Sequence, residues 1–125
     1  MNKLDIKKYL FCAIDFKTIT ESEKILSVIK NHIGGIKLGL EFFIANGLEG
    51  VKYLQKLQLP IFLDLKLHDI PNTVNEALNA ALKVKPEYIS VHINGGRSML
   101  DLIMRNKRIN STKIIGITML TSLDK

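Results

Sequence analysis

The sequence predicts an α/β fold in which five β-strands alternate with four helical segments, as in part of a (β/α)8 TIM barrel. Three observations support this prediction. Short apolar runs alternate with segments whose apolar residues recur at helical spacing. Glycine or proline separates many of these segments. Polar residues recur in or at the C-terminal half of successive predicted strands, and parallel barrels carry their chemistry at the C-terminal face.

The first strand is predicted at residues 11–15, an apolar run that ends in an acid. Apolar side chains at helical spacing then predict a helix that extends to Ile33. Thr20 and Glu23 have the spacing of a capping box, which places the start of this helix near Thr20.

The second strand is predicted at residues 36–40, after the glycine pair 34–35 has ended the first helix. Residues 41–58 show helical spacing with an interruption and are interpreted as a broken helical connection. Pro60 ends this segment, and the apolar run 61–66 is the third strand.

Pro71 suits the first turn of the next helix, whose body is residues 73–84. The fourth strand is predicted at 87–93, the helix after it at 97–106, and the fifth strand at 113–120. The strict alternation of strand and helix favours a parallel sheet built from βαβ units.

A doubly wound open sheet would also carry its site at the carboxyl ends of the strands. Its glycine-rich fingerprint would follow the first strand, where this sequence has "DFKT" instead. We therefore favour a barrel. Because a closed barrel has eight strands and typically about 250 residues, residues 1–125 are expected to be the N-terminal part of a single barrel domain.

The composition argues against several classes of partner. The 18 basic and 12 acidic residues give a net charge of +6, but the lysines are dispersed and no aromatic residues interleave with them, so we expect no nucleic-acid partner. No apolar run approaches the roughly 20 residues that span a membrane, and no signal peptide is recognised. The single cysteine, Cys12, is consistent with a reducing compartment, so a cytoplasmic location is expected.

Charged residues within and just after the third strand are the main candidates for chemistry. Asp64 and Lys66 are two positions apart and should point to one side of the strand, with Asp69 just beyond it. Lys37 on the second strand can join them. Buried charges must be paired, so the expected arrangement is an alternating array of lysines and carboxylates. A surface salt-bridge cluster at a strand end is the structural alternative.

The stretch "DLKLHDIPNT" (64–73) resembles the signature of the orotidine 5′-phosphate decarboxylase family. Further matching stretches occur in the same order as in that family: "AIDFKT" (13–18), "IKLGLEFF" (36–43), "VHINGGRSM" (91–99) and "ITMLTSLD" (117–124). The resemblance covers the whole chain but only about the first half of a family member.

This resemblance implies specific catalytic roles in the conversion of orotidine 5′-phosphate to UMP, the last step of de novo pyrimidine biosynthesis. Lys66 matches the acid that protonates C6 of the pyrimidine, and Asp64 matches the carboxylate beside the departing carboxylate. Lys37 matches the lysine that orients Asp64 and contacts the ribose. Asp15 matches a ligand of a ribose hydroxyl.

The resemblance also implies a homodimer with shared sites, because Asp69 and Thr73 match residues that reach the partner's site. Thr121 matches a pyrimidine contact. No metal or organic cofactor is expected. The complete expected substrate-binding set is Asp15, Lys37, Asp64, Lys66, Asp69, Ile70, Thr73 and Thr121.

Other functions remain open at this point. A related magnesium-dependent phosphosugar decarboxylase or synthase shares the core of the motif, and a Schiff-base lysine enzyme or a catalytically dead half-barrel fragment are further alternatives. The family's phosphate-binding loop follows the last residue of this chain, so the chain alone is expected to be inactive or incomplete. His68 and His92 are expected to be structural, hydrogen-bonded histidines rather than proton shuttles.

Overall fold

The computed structural model describes residues 5–123. Within that range it contains the five strands and four α-helices that the sequence predicts, together with three short 3-10 helices. The strands are β1 (Phe11–Ile14), β2 (Gly35–Gly39), β3 (Ile61–Leu67), β4 (Tyr88–His92) and β5 (Lys113–Ile117). The helices are α1 (Ile19–Ile29), α2 (Leu40–Gln55), α3 (Pro71–Ala81) and α4 (Arg97–Met104), and the 3-10 helices are Ile6–Tyr9, Leu82–Val84 and Ile93–Gly95.

The chain divides into two compact units, Met1–Asp64 and Leu65–Lys125, and the boundary falls within β3. In the first unit β1 pairs with β2 and β2 with β3, all in parallel. The register places Lys37 opposite Phe62 and Gly39 opposite Asp64. In the second unit β4 and β5 are parallel, and His92 lies opposite Ile117. The parallel pairing within each unit is what βαβ connections require.

Each unit has an apolar core that its own helices and strands supply. In the first unit the fully buried side chains are Ile14, Leu26, Ile36, Leu38, Phe42, Val51, Leu54 and Leu63. In the second they are Leu78, Ile89 and Met99, with Val74, Val91 and Ile103 almost completely buried. Asn106 joins α3 to α4, because its Nδ2 donates to Asn75 Oδ1 at 2.8 Å and to Asn79 Oδ1 at 2.9 Å.

Helix α1 begins two residues earlier than the capping box at Thr20 and Glu23 predicts. The N-cap is Thr18, whose Oγ1 accepts a hydrogen bond from Glu21 N at 3.2 Å and donates one to Glu21 Oε2 at 2.6 Å. Thr18 has the extended backbone that an N-cap needs, whereas Thr20 already lies inside the helix. Thr18 with Glu21 and Thr20 with Glu23 have the same spacing, and the helix is capped by the first pair.

Glycines explain two local features of the first unit. Helix α2 is broken, as predicted, at Gly47, whose φ of 59° and ψ of −163° are open essentially to glycine alone. The glycine pair 34–35 does not cap α1, which ends at Ile29. A Cβ on Gly34 would lie 2.5 Å from the backbone of Lys8, so this glycine permits the close approach of the N-terminal segment.

Strand β5 ends at Ile117, three residues before the predicted end. Ile117 pairs with His92, the last residue of β4, and Ile93–Gly95 then turns away in a 3-10 helix. Residues after Ile117 therefore have no extended β4 segment to pair with, and Thr118 follows β5 rather than lying within it.

Candidate active site

The first part of the candidate site is an ion pair between β2 and β3. Lys37 Nζ lies 3.4 Å from Asp64 Oδ2, and their side chains are 29% and 10% exposed. The parallel register sets Asp64 opposite Gly39, so Lys37 sits two residues earlier on the adjacent strand and its long side chain reaches forward. The lysine gives the buried carboxylate a cationic hydrogen-bond donor, which a charge in this environment requires.

Asp15 adds a second carboxylate at the same edge of the first unit. It follows the last residue of β1, and its Oδ1 lies 3.6 Å from the point where a Cβ on Gly39 would stand. Asp15 thus lies just beyond β1, while Lys37 and Asp64 are the central residues of the adjacent parallel strands β2 and β3. The C-terminal edge of such a sheet is where α/β folds place their reactive groups.

Lys66 has an unusual backbone for a strand residue. Its φ is 47°, in the left-handed region, although it lies within β3. Its backbone N–H donates to Ser90 Oγ on β4 at 2.9 Å, and Ser90 is fully buried. The left-handed φ interrupts the regular pleat, so the argument that Asp64 and Lys66 face one side because they are two residues apart does not apply here.

Two histidines meet just beyond these residues in the second unit. The rings of His68 and His92 stack with centroids 5.1 Å apart and planes inclined by 22°. His92 Nδ1 accepts a hydrogen bond from Asn94 N at 3.4 Å, which fits the structural role expected of it. A Cβ on Gly95 would lie 3.4 Å from His68 Cδ2, so the turn after β4 packs closely against the ring.

The predicted cross-subunit residues lie in the first turn of α3 and just before it. Asp69 Oδ1 accepts a hydrogen bond from Ile70 N at 2.7 Å, and Ile70 is the N-cap residue before Pro71. Asp69 and Thr73 are exposed, and the Ile70 side chain is 68% exposed. These side chains are thus accessible to another molecule. Thr121 is exposed in a turn after β5.

The structure thus pairs Lys37 with Asp64 and places Asp15 near Gly39 in the first unit, and it joins Lys66 to Ser90 in the second. A contact between the Lys66 ammonium and the carboxylates of Asp64 and Asp69 stays a prediction. Sequence reasoning did not identify Ser90. The sequence signal was a small hydroxyl between the apolar Ile89 and Val91 of a predicted strand, since a buried polar group needs a hydrogen-bond partner.

Neither metal-ligand clusters nor membrane helices occur in the part of the chain that the structure describes. Residues 5–123 contain no group of three or more histidine, cysteine, aspartate or glutamate side chains placed to hold a metal ion. None of the helices in that range has the length and apolar character needed to cross a bilayer.

Comparisons with known proteins give a consistent result. The sequence model described as "Orotidine 5'-phosphate decarboxylase / HUMPS family" matches residues 8–125. The chain is 47% identical over 117 residues to an orotidine 5′-phosphate decarboxylase of Sphingopyxis alaskensis, covering 92% of this chain and 51% of that protein. It is 45% identical over 116 residues to that of Erythrobacter litoralis, covering 93% of this chain and 51% of that protein.

Solved structures agree with the sequence relatives. The crystal structure of the Lactobacillus acidophilus orotidine 5′-phosphate decarboxylase matches with a TM-score of 0.80 at 30% identity, covering 92% of this chain and 55% of that one. That of the Pyrococcus horikoshii decarboxylase matches with a TM-score of 0.74 at 25% identity, covering 85% and 49%. These neighbours are TIM barrels, which confirms the predicted fold class. The chain spans about half the length of the relatives it matches.

Proposed function

This chain belongs to the orotidine 5′-phosphate decarboxylase / HUMPS family, and we propose that it supplies the first half of a site that decarboxylates orotidine 5′-phosphate to UMP. The observation that supports this best is the partly buried Lys37–Asp64 pair, with Asp15 near Gly39 on β2 and Lys66 two residues after Asp64 in β3. Charged groups at this edge of a parallel sheet are placed for chemistry rather than for stability.

In the proposed reaction the bond between C6 and the substrate carboxylate breaks. Carbon dioxide leaves, and the electron pair remains on C6 in an orbital that the pyrimidine ring cannot delocalise. Enzymes commonly supply such an electron sink with a cofactor. In this proposal the Lys66 ammonium stabilises the developing carbanion and then transfers a proton to C6, which combines electrostatic stabilisation with general-acid catalysis.

Asp64 is assigned to the position beside the substrate carboxylate. Its negative charge there raises the energy of the bound substrate, and the repulsion is relieved when carbon dioxide departs. Lys37, whose Nζ lies 3.4 Å from Asp64 Oδ2, pairs with that carboxylate and orients it. Asp15 and Lys37 are assigned to the ribose hydroxyls.

The remaining residues complete the proposal. Asp69 and Thr73 act across a homodimer interface, which their exposure at the start of α3 permits. Ile70 and Thr121 contribute to substrate binding. Because the chain matches about half of each relative, we expect efficient turnover only when the rest of a barrel, with a site for the substrate phosphate, is joined to it.

The proposal is tested by joining residues 1–125 to the remaining part of the Sphingopyxis alaskensis relative and measuring the release of labelled carbon dioxide from carboxyl-labelled orotidine 5′-phosphate. We expect turnover in the unmodified protein and a loss of at least about 100-fold in Lys66→Ala, the contribution expected of a general acid. Lys83→Ala, which changes an exposed lysine of the 3-10 helix after α3, is the matched control and should retain activity.

Circular dichroism must show that both variants fold. Turnover retained in Lys66→Ala would refute the assigned role of Lys66. The magnesium-dependent phosphosugar alternative predicts that a chelator abolishes activity, whereas the proposed decarboxylase should be unaffected by it. Activity of the 125-residue chain alone would support the reaction and refute the expectation that the rest of a barrel is needed.

A further inference from the structure

We propose that Ser90 is a positioning residue for Lys66: its buried hydroxyl holds the left-handed backbone from which the Lys66 side chain projects. The role given to Lys66 rests on the proposed function, but the contact between the two residues does not. Ser90 touches no reacting atom in this proposal and acts only through Lys66.

The backbone of Lys66 needs an external restraint. Among residues 5–123 three non-glycine residues have positive φ, and two of them, Gln58 and Lys85, lie outside the strands and α-helices. Lys66, with φ of 47°, is the one that lies inside a strand. A lysine gains nothing locally from this conformation, which persists only where surrounding contacts enforce it, and such residues concentrate at functional sites.

The hydroxyl of Ser90 supplies that restraint. The N–H of Lys66 donates to Ser90 Oγ at 2.9 Å, a favourable hydrogen-bond distance. Ser90 is fully buried on β4. A buried hydroxyl is unfavourable unless it is hydrogen-bonded, and this one accepts a hydrogen bond from the backbone of the strained residue.

A second contact holds the same strand end. His68, two residues after Lys66, stacks on His92, two residues after Ser90. The segment that carries Lys66 is therefore fixed to β4 by a hydrogen bond at Lys66 itself and by a ring contact just beyond it. With both contacts formed, the direction of the Cα–Cβ bond of Lys66 is set before any substrate binds.

This direction matters because proton transfer requires the donor to lie within hydrogen-bond reach of the accepting atom. The lysine side chain is long, so a modest rotation about the Lys66 backbone displaces its ammonium by a large distance. A displacement of about 1 Å is enough to reduce a rate about 100-fold. Ser90 should therefore affect the chemical step more than substrate binding.

The test compares Ser90→Ala, which removes the acceptor, with Ser90→Thr, which keeps it. Ser22→Ala is the matched control, because Ser22 is also fully buried and its Oγ donates to Thr18 O at 2.9 Å, but it lies on α1. In the 125-residue chain, NMR should show the Lys66 amide exchanging with solvent about tenfold faster in Ser90→Ala, as loss of a buried hydrogen bond predicts. Ser90→Thr and Ser22→Ala should leave that rate near the original.

The second readout is catalysis in the joined enzyme described above. Ser90→Ala should lower kcat about tenfold or more with little change in KM, the signature of a group that acts in the transition state. Ser90→Thr, which keeps the hydroxyl, should retain most of the kcat of the unmodified enzyme. If Ser90→Ala fails to fold, Ser90→Cys takes its place, because sulfur is a weak acceptor of similar size.

Unchanged exchange of the Lys66 amide in Ser90→Ala would overturn the proposal, whatever the enzyme does. Faster exchange combined with an unchanged kcat would show that the bond exists but does not position the lysine, and would also overturn it. If the joined enzyme does not act on orotidine 5′-phosphate at all, the proposed function fails, and with it the positioning role, while the exchange result still decides whether Ser90 restrains the backbone.

Discussion

The Lys37–Asp64 pair allows a quantitative test of whether the charges on β2 and β3 form a site shielded from water or a solvated surface cluster. The perturbation is a double-mutant cycle of the original protein, Lys37→Met, Asp64→Asn and the combination, which isolates the coupling between the two side chains. A buried pair should show a substantial coupling, whereas an exposed pair of charges typically contributes less than about 1 kcal/mol.

The expected magnitude follows from the geometry. Two unit charges 3.4 Å apart interact by about 5 kcal/mol at an effective dielectric constant of about 20. The distance is long for a charged hydrogen bond, and 29% of the Lys37 side chain is exposed, so screening by water reduces the interaction. We therefore expect a coupling free energy of about 2 kcal/mol, and a larger loss in Lys37→Met than in the double variant.

The assay is urea unfolding followed by far-ultraviolet circular dichroism at neutral pH, with free energies from linear extrapolation. The control cycle uses Lys113 and Glu87, whose Nζ–Oε1 distance of 2.9 Å is shorter but whose side chains are 61% and 39% exposed. Glu87 raises the pKa of Lys113 by a hydrogen bond and by its charge, so this contribution is present at neutral pH and is lost as pH rises through the folded-state pKa.

Burial rather than distance should decide which coupling free energy is larger, so the Lys113–Glu87 coupling should be smaller than the Lys37–Asp64 coupling. A Lys37–Asp64 coupling below about 0.5 kcal/mol, or one no larger than that of the control, would show that the pair is an ordinary surface ion pair and would remove the main support for the proposed site.

Three further predictions concern the first unit. Gly47→Ala should destabilise the protein by about 1–3 kcal/mol in urea unfolding, because its backbone conformation excludes a Cβ while no neighbouring atom would clash; an unchanged midpoint would mean that α2 can straighten. Thr18→Ala should lower the free energy of unfolding by about 1 kcal/mol, and Thr20→Ala should lower it much less. A larger loss in Thr20→Ala would mean that the helix begins at Thr20, as the sequence predicted. Glu23 raises the pKa of Tyr53, chiefly by a hydrogen bond, so the contribution of this bond to stability should be lost as pH rises through the folded-state pKa of Tyr53. A spectrophotometric titration should show a lower phenol pKa in Glu23→Ala.

The order of strands and helices was predictable because glycine, proline and apolar spacing mark each segment independently of the rest of the chain. Boundaries were less predictable where the sequence offers equivalent choices. Thr18 with Glu21 and Thr20 with Glu23 have identical spacing, and only the backbone conformation selects the first. The end of β5 depends on where β4 stops, which is information from another segment.

The candidate site was predictable to the extent that it follows strand order. Lys37 reaches Asp64, and Asp15 lies near Gly39, because adjacent parallel strands run side by side in sequence order. The left-handed backbone at Lys66 was not predictable, because the strand pattern assumes a regular pleat. Its bond to Ser90 joins residues distant in sequence, and no local pattern reports such a contact.

The edge of β5 that faces away from β4 should make the protein prone to self-association. Within residues 5–123 this strand pairs with β4 alone, and its sequence "KIIGI" contains three isoleucines with a single charge, on Lys113. A strand edge of this kind offers its unpaired N–H and C=O groups to any other extended chain. Concentrated solutions of the 125-residue chain should therefore self-associate through intermolecular β-pairing, and a charged residue in place of Ile115 should delay this aggregation.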